Sequence, residues 1–164
     1  MSQLTKILIF GNSGSGKSTL AKRLANKFNI AHLDLDTLAW LPQSPPVRKP
    51  INDSKKEIDS FLDDNEGWVI EGGYTDLLSL LSTDATEIIF LNLSIEASVI
   101  NAKNRPWEPH KYASKKMQDE NLEMLIEWIK AYETRDDLFS YQSHLAFYEA
   151  FQGKKSMITK ENLD

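Results

Sequence analysis

Residues Gly11-Asn12-Ser13-Gly14-Ser15-Gly16-Lys17-Ser18 fit the pattern G-x-x-x-x-G-K-[ST] at every fixed position, and the pattern has a demanding setting: a buried strand must lead in and a helix must lead out. Both signals are present. Ile7-Leu8-Ile9-Phe10 is a continuous apolar run, as expected of a strand covered on both faces of a parallel sheet. From Lys17 to Phe28, apolar side chains recur at Leu20, Leu24 and Phe28, and Lys22, Arg23 and Lys27 lie toward the end where cations favour the helix dipole. In that setting the glycines let backbone N–H groups turn inward toward an anion, the helix N-terminus adds positive potential, and Lys17 adds a mobile charge. The four fixed positions would match by chance in a chain this long at roughly 0.5%. The segment therefore reads as a phosphate loop rather than a Gly-rich helix cap, and a nucleoside triphosphate is its expected ligand.

The remaining chain alternates in the same way. A second strand is predicted at Ala31–Asp36, followed by a loop or small insertion over 37–52 rich in proline (Pro42, Pro45, Pro46, Pro50) and a polar helix near Asp53–Asp64. Trp68-Val69-Ile70 reads as a third buried strand opening into Glu71-Gly72-Gly73-Tyr74, and Glu87–Leu93 as a fourth. A short helix (95–104), a basic aromatic segment (Arg105–Lys116) and a long helix near Asp119–Thr134 follow; that helix places Leu122, Leu125, Ile126, Ile129 and Tyr132 on one face. Ser156–Thr159 is a candidate last strand. Strands alternating with helices predict an α/β fold with an open parallel sheet and helices on both faces. With no repeat or flexible linker, the 164 residues suit one domain.

Composition narrows the chemistry. The absence of cysteine excludes a disulfide framework, thiolate zinc, iron–sulfur ligation and a cysteine nucleophile. Met1-Ser2-Gln3-Leu4-Thr5-Lys6 lacks a basic leader with a long apolar run, and no stretch approaches the ~18 apolar residues of a membrane span, so a cytoplasmic protein without a membrane partner is expected. Net charge is −5, unevenly spread: residues 1–50 hold seven Lys/Arg against two Asp, net +5, and the rest is net −10. An acidic chain is a poor candidate for direct nucleic-acid binding, which depends on clustered cations releasing counterions. A local basic pocket for one phosphate ligand stays open.

Three clusters beyond the loop could serve phosphoryl transfer, which needs charge neutralisation and an oriented acceptor. Asp34-Leu35-Asp36 lies at a strand's C-terminal end, where α/β sheets bind ligands, and a spacing of two puts both carboxylates on one face of a strand. One could hold Mg²⁺ while the other hydrogen-bonds the acceptor or takes its proton; a turn or helix cap is the alternative. Glu71 stands where a Mg²⁺ carboxylate is often placed, and Gly72-Gly73 permits close approach of a ligand, against the alternative of a tight turn with a solvated Glu. His32 reads as a packed side chain. The segment Asn101–Lys116 carries five Lys/Arg against Glu108 alone, net +4, and prolines on either side of Trp107-Glu108 preclude a regular helix. It is either a solvated basic loop or a lid that closes over the phosphates and delivers Arg105. Arg135 is a second phosphate cation or a helix-end charge.

Taken together, these residues resemble the P-loop small-molecule kinases of the adenylate kinase and shikimate kinase type. They look more closely like the small bacterial proteins called DNA topology-modulation proteins or AAA-type ATPases. The runs that carry the resemblance are Ile9–Ala21, His32–Trp40, Trp68–Gly72 and Asn104–Tyr112. It implies a three-layer P-loop NTPase fold with a five-stranded parallel sheet, one domain over 1–164, an acceptor-binding insertion at about 37–66 and a lid at about 105–118. It further implies ATP and Mg²⁺, with Gly11, Asn12, Ser13, Gly14, Ser15, Gly16, Lys17, Ser18 and Thr19 around the phosphates. Ser18, Asp34 and Glu71 would serve the metal. Lys17, Asp36 and Arg105 would serve transfer, and Asp36, Trp40, Arg48, Gly72 and Gly73 the acceptor. Two departures leave the acceptor open: shikimate kinases usually have three successive glycines and an arginine-rich carboxylate site, whereas adenylate kinases usually have an Asp-Gly-(Phe/Tyr)-Pro-Arg turn. The expected function is transfer of the ATP γ-phosphoryl to a small molecule; the alternative is a nucleotide-dependent regulatory ATPase or switch acting through a protein or DNA partner.

Overall fold

A computed structural model describes residues 4–43 and 46–160; Pro45 of the proline-rich stretch and Met1–Gln3 of the expected leaderless start lie outside them. The apolar run becomes β1 (Lys6–Gly11), followed by α1 (Lys17–Phe28), β2 (Ala31–Asp34) and a single 3₁₀ turn at Leu35–Thr37. Next come α2 (Ile51–Asp64), β3 (Trp68–Glu71), α3 (Thr75–Leu81) and β4 (Glu87–Leu91). The chain continues through α4 (Ile95–Lys103), α5 (Lys115–Lys130), α6 (Tyr141–Ala150) and β5 (Lys154–Ile158). The five strands form one sheet in the order β2-β3-β1-β4-β5, and every pairing is parallel. The open parallel α/β architecture expected from the sequence is what the structure shows.

Alternation along β1 divides the core. Leu8 and Phe10 point to one face, where Ile70, Ile88 and Phe90 join side chains of α2, α3 and α6; Ile7 and Ile9 point to the other, packing with Val69, Ile89 and Leu91 against Leu20 and Ala21 of α1. Burial on both sides explains why β1, β3 and β4 read as unbroken apolar runs. Phe10 stacks on Phe90 at 5.0 Å between ring centroids and meets Phe147 edge-on at 5.2 Å. β5 at the sheet edge is almost wholly exposed and begins with two lysines, a composition that discourages further strand addition.

Several boundaries differ from the sequence reading. The second strand stops at Asp34 rather than Asp36, because the Asp34 carboxylate accepts from the Asp36 backbone N–H at 2.9 Å and caps the 3₁₀ turn. The two carboxylates thus come together through a turn, not through alternation along a strand. The long helix is displaced four residues toward the N-terminus, starting where the Ser114 hydroxyl accepts from Met117 N–H at 3.1 Å. Helices α3 and α6 have no counterpart in the sequence reading; Tyr141, Phe147 and Tyr148 of α6 pack on the Phe10–Phe90 pair.

One glycine fixes how tightly the loop docks. Gly14 has φ +77°, and a Cβ there would lie 2.3 Å from the Ser98 carbonyl oxygen of α4. Both the backbone conformation and the contact exclude a side chain. Gly14→Ala is therefore expected to lower the unfolding free energy by at least about 2 kcal/mol, read from the urea midpoint.

Candidate functional site

The loop between β1 and α1 is held from outside. Asn101 Nδ2 of α4 donates to the Gly14 carbonyl at 2.8 Å, and Asn12 Nδ2 donates to the Ile129 carbonyl of α5 at 3.2 Å. Lys17 folds back over the loop, its ammonium donating to the carbonyls of Asn12 at 2.8 Å and Gly11 at 3.2 Å. Burial pushes its pKa down to about 8, although the Glu71 and Asp36 carboxylates pull the other way. A cavity of about 690 Å³ opens above the loop, with Ser13 to Thr19 on one wall and Asp34, Asp36, Glu71 and Gly72 on another.

That second wall follows from sheet order. β2 and β3 pair with Asp34 opposite Glu71, and β3 lies beside β1, so the ends of three parallel strands bring the carboxylates next to the loop. Ser18 Oγ donates to Glu71 Oε1 at 2.8 Å, while Glu71 Oε2 accepts from His32 Nε2 at 2.6 Å. The Glu71 carboxylate, only 3% exposed, is thereby held by a strand neighbour on one oxygen and by the loop on the other.

Asp36 is held just as firmly. Its Oδ1 accepts from the Tyr74 hydroxyl, which itself accepts from Trp40 Nε1 at 2.9 Å. Burial would raise the Asp36 pKa, but the Lys111 ammonium and the Tyr74 hydrogen bond outweigh it and keep the carboxyl below the usual range. Asp34 goes the other way, raised by burial and by the neighbouring Asp36 charge. Burial also pushes the Tyr74 hydroxyl well above its ordinary value, with the Asp36 charge adding to it, so it stays a donor at neutral pH.

The basic segment forms the cavity's outer wall through Arg105, Pro106, Trp107, Glu108, Pro109, His110 and Lys111. It is pinned to α5: Gln118 accepts from Glu108 N–H at 2.8 Å and donates to the Pro106 carbonyl at 3.0 Å. Arg105 lies 3.3 Å from Glu108. Lys111 reaches farthest inward, 2.9 Å from Asp36 Oδ2 and 3.5 Å from Asp34 Oδ2. Burial works against its charge, yet those two carboxylates raise its pKa above the ordinary value.

The structure thus gathers Ser13–Thr19, Asp34, Asp36, Glu71, Gly72 and Arg105 around one cavity. Gly11 and Asn12 stand behind the loop, supplying the carbonyls that hold Lys17. Gly73, Trp40 and Arg48 are set back from the cavity wall. The Gly73 carbonyl accepts from the buried His144 Nε2 at 2.8 Å, and Trp40 reaches the cavity only through Tyr74. Arg48 pairs with Asp76 at 3.0 Å and lies over Tyr74, 4.8 Å from its ring centroid. Arg135 lies over the Trp128 ring at 3.4 Å from its centroid and pairs with Asp137 at 3.3 Å. The sequence reads His32 as a packed side chain, whereas it hydrogen-bonds Glu71, and it assigns no individual role to Tyr74, Lys111 or His144. Tyr74 carried a signal as the residue closing the Glu-Gly-Gly turn, and Lys111 as one cation of the basic segment.

For Mg²⁺, Ser18, Glu71 and Asp34 offer only hard oxygen donors with two carboxylates, which fits a cation that keeps several waters and shares substrate phosphates. Among the described residues no group of three or more His, Cys, Asp or Glu side chains is arranged to hold a metal ion by itself. Nor, among them, is any helix long and apolar enough to cross a membrane.

No protein-family model matches this sequence. The chain is 25% identical over 131 residues to the uncharacterized protein YqaC of Bacillus subtilis (strain 168), a match covering 77% of this chain and 72% of that protein. In three dimensions it is similar to the crystal structure of shikimate kinase from Bacteroides thetaiotaomicron, with a TM-score of 0.50 and 16% sequence identity. That likeness covers 90% of this chain and 98% of the other. At such an identity the shared property is the P-loop kinase fold with its five-stranded parallel sheet.

Proposed function

We propose that this chain binds MgATP at the phosphate loop and passes the γ-phosphoryl group to a small-molecule acceptor. The observation that carries this reading is the convergence on one cavity of Lys17, the Ser18–Glu71 pair and the Asp34/Asp36 carboxylates under a cationic lid. The acceptor role rests on Asp36, a carboxylate that Lys111 and the Tyr74 hydroxyl keep ionised at the cavity wall.

Each residue has a defined task in this scheme. Backbone groups of Gly11 to Thr19 cradle the phosphates, and Lys17 exchanges its two carbonyl partners for phosphate oxygens. Ser18, Glu71 and Asp34 would hold Mg²⁺, which when bound neutralises charge on the β- and γ-phosphates. Asp36 accepts a hydrogen bond from the acceptor hydroxyl and orients it in line. As the new O–P bond forms and the β–γ bridging O–P bond breaks, the hydroxyl proton passes to Asp36 or to water and ADP leaves. Gly72 gives the acceptor backbone access, while Gly73, held by His144, and Trp40 and Arg48, through Tyr74 and Asp76, brace that side. Arg105 and the rest of the 105–118 lid exclude water and add positive charge to the transferring group. The 37–66 insertion forms the acceptor side within one domain.

The test is incubation with MgATP and a panel of nucleosides, nucleoside monophosphates, sugars and shikimate, following phosphorylated product by mass spectrometry. At least one acceptor is expected to be phosphorylated and to raise ADP release about tenfold or more above the rate with water alone. ATP hydrolysis that no acceptor accelerates, but that a protein or DNA partner does, would favour the regulatory alternative.

A further inference from the structure

The four oxygens of Asp34 and Asp36 are all engaged, and the division of labour among their partners is informative. Asp34 Oδ1 accepts from the Asp36 backbone N–H at 2.9 Å, and Asp36 Oδ1 accepts from the Tyr74 hydroxyl. These two contacts belong to the strand ends and fix how the carboxylates point. The remaining oxygens, Asp34 Oδ2 and Asp36 Oδ2, face the cavity, and both are taken by Lys111, at 3.5 and 2.9 Å. Glu108 Oε2 of the lid completes the ring around the same ammonium at 3.5 Å. His110 Nε2 lies 3.8 Å from both Asp34 and Glu108. Lys111 therefore occupies the position in which a cation would meet this pair of carboxylates, and it arrives there on the lid.

We infer that Lys111 is the resident counter-cation of Asp34 and Asp36 in the ligand-free protein, that a divalent cation must displace it to engage Asp34, and that the freed ammonium then leaves Asp36 open to the acceptor and serves the transferring phosphoryl group. Two like charges so close, in a partly desolvated site, repel strongly unless a cation stands between them. Lys111 removes that repulsion before any ligand enters. Lys111 and a cation bound by Asp34 would compete for Asp34 Oδ2, so each must weaken the other's hold. Once displaced, Lys111 remains tethered to the wall of the cavity that also contains Lys17 and Arg105, where an incoming triphosphate offers the nearest uncompensated anions. Entry of the metal–nucleotide complex is thereby coupled to a change of partner at the lid. Only the service to the phosphoryl group rests on the phosphotransfer reading above.

Mn²⁺ is the probe, titrated without nucleotide and followed by water-proton relaxation. Removing the tethered competitor in Lys111→Met is expected to tighten Mn²⁺ binding at least about tenfold, whereas Lys111→Arg, which keeps the charge, stays within about threefold of the unsubstituted protein. Lys111→Gln, whose amide leaves the carboxylates without a cation in a more polar way, should match Lys111→Met and guards against a local packing defect. Equal or weaker Mn²⁺ binding in both neutral variants overturns the counter-cation assignment. In turnover with MgATP the same neutral variants are expected to lose about tenfold or more in kcat with little change in the nucleotide KM; unchanged kcat overturns the second role alone. Because the titration contains no nucleotide, its result holds whether or not the protein transfers phosphoryl groups.

Discussion

Lys17→Met is expected to lower nucleotide turnover about a thousandfold and to weaken ATP binding by about ten- to a hundredfold, the largest loss from any single side chain. Lys17 is the cation docked on the loop itself, so its removal strips charge stabilisation at the phosphates while leaving the cradle standing. The pH dependence separates this from a folding defect. In the free protein burial holds the Lys17 pKa at about 8, and a triphosphate placed against the ammonium must raise it. Between about pH 8 and 10 binding therefore takes up a proton, and affinity falls as pH rises through that range. The terminal phosphate ionises near pH ~6, so it does not contribute there. Titration calorimetry in buffers of different ionisation enthalpy should show proton uptake at pH 8.5 in the unsubstituted protein and none in Lys17→Met. Stability carries the same signature with its own sign. The folded-state pKa lies below the unfolded value, so the unfolded chain binds more protons from about pH 8 upward and stability rises with pH in that interval. Lys17→Met should lose that rise. A variant that keeps normal turnover, or retains the proton uptake, would remove Lys17 from the phosphate site.

How far the site was legible in advance depended on the distance over which each contact acts. The phosphate loop is local: eight consecutive residues, a strand before and a helix after, so pattern and structure coincide. Asp34, Asp36 and Glu71 stand out in the sequence because they close apolar or alternating segments, and parallel strands deliver their C-terminal ends to one edge. What a linear reading could not supply was strand neighbourhood. Placing β3 between β2 and β1 lets Ser18 and His32 meet the same carboxylate from opposite sides; in the sequence His32 is simply a lone histidine in a strand. Lys111 was one cation among five in a basic segment, and only the lid's path, set by Gln118 and α5, chooses it over Lys115 or Lys116, which lie on the exposed face. Helix α6 failed for a different reason. Its aromatic content follows from burial against Phe10 and Phe90, a tertiary demand with no periodic pattern along the chain to announce it. His144 went with it, and so did the bond that ties the Gly73 carbonyl to a residue 71 positions away.

Asp36→Asn should abolish most phosphoryl transfer, by about a hundred- to a thousandfold, while leaving ATP affinity within about threefold. The reasoning turns on what the environment does to this carboxyl. Lys111 and the Tyr74 hydroxyl keep it ionised well below neutral pH despite burial, which makes it a strong and fixed hydrogen-bond acceptor but a weak proton sink. An asparagine keeps the shape and presents an amide, so it can still meet the Tyr74 hydroxyl through its carbonyl, yet it turns a donor toward the acceptor hydroxyl. The loss should appear in transfer and spare nucleotide binding, since on the proposed reading the loop holds the phosphates. Tyr74→Phe supplies the graded case. Removing a donor to the charged form must raise the Asp36 pKa, so the acidic limb of the pH–rate profile should move upward while the plateau at neutral pH falls by only about tenfold. Beside Trp40 and Phe139 the phenylalanine ring fits the space it inherits; it also gives up the bond from Trp40 Nε1, so the pH shift rather than the plateau reports on Asp36. An unshifted acid limb would detach Tyr74 from Asp36, and full transfer in Asp36→Asn would require the acceptor to be oriented from the other carboxylate, Asp34.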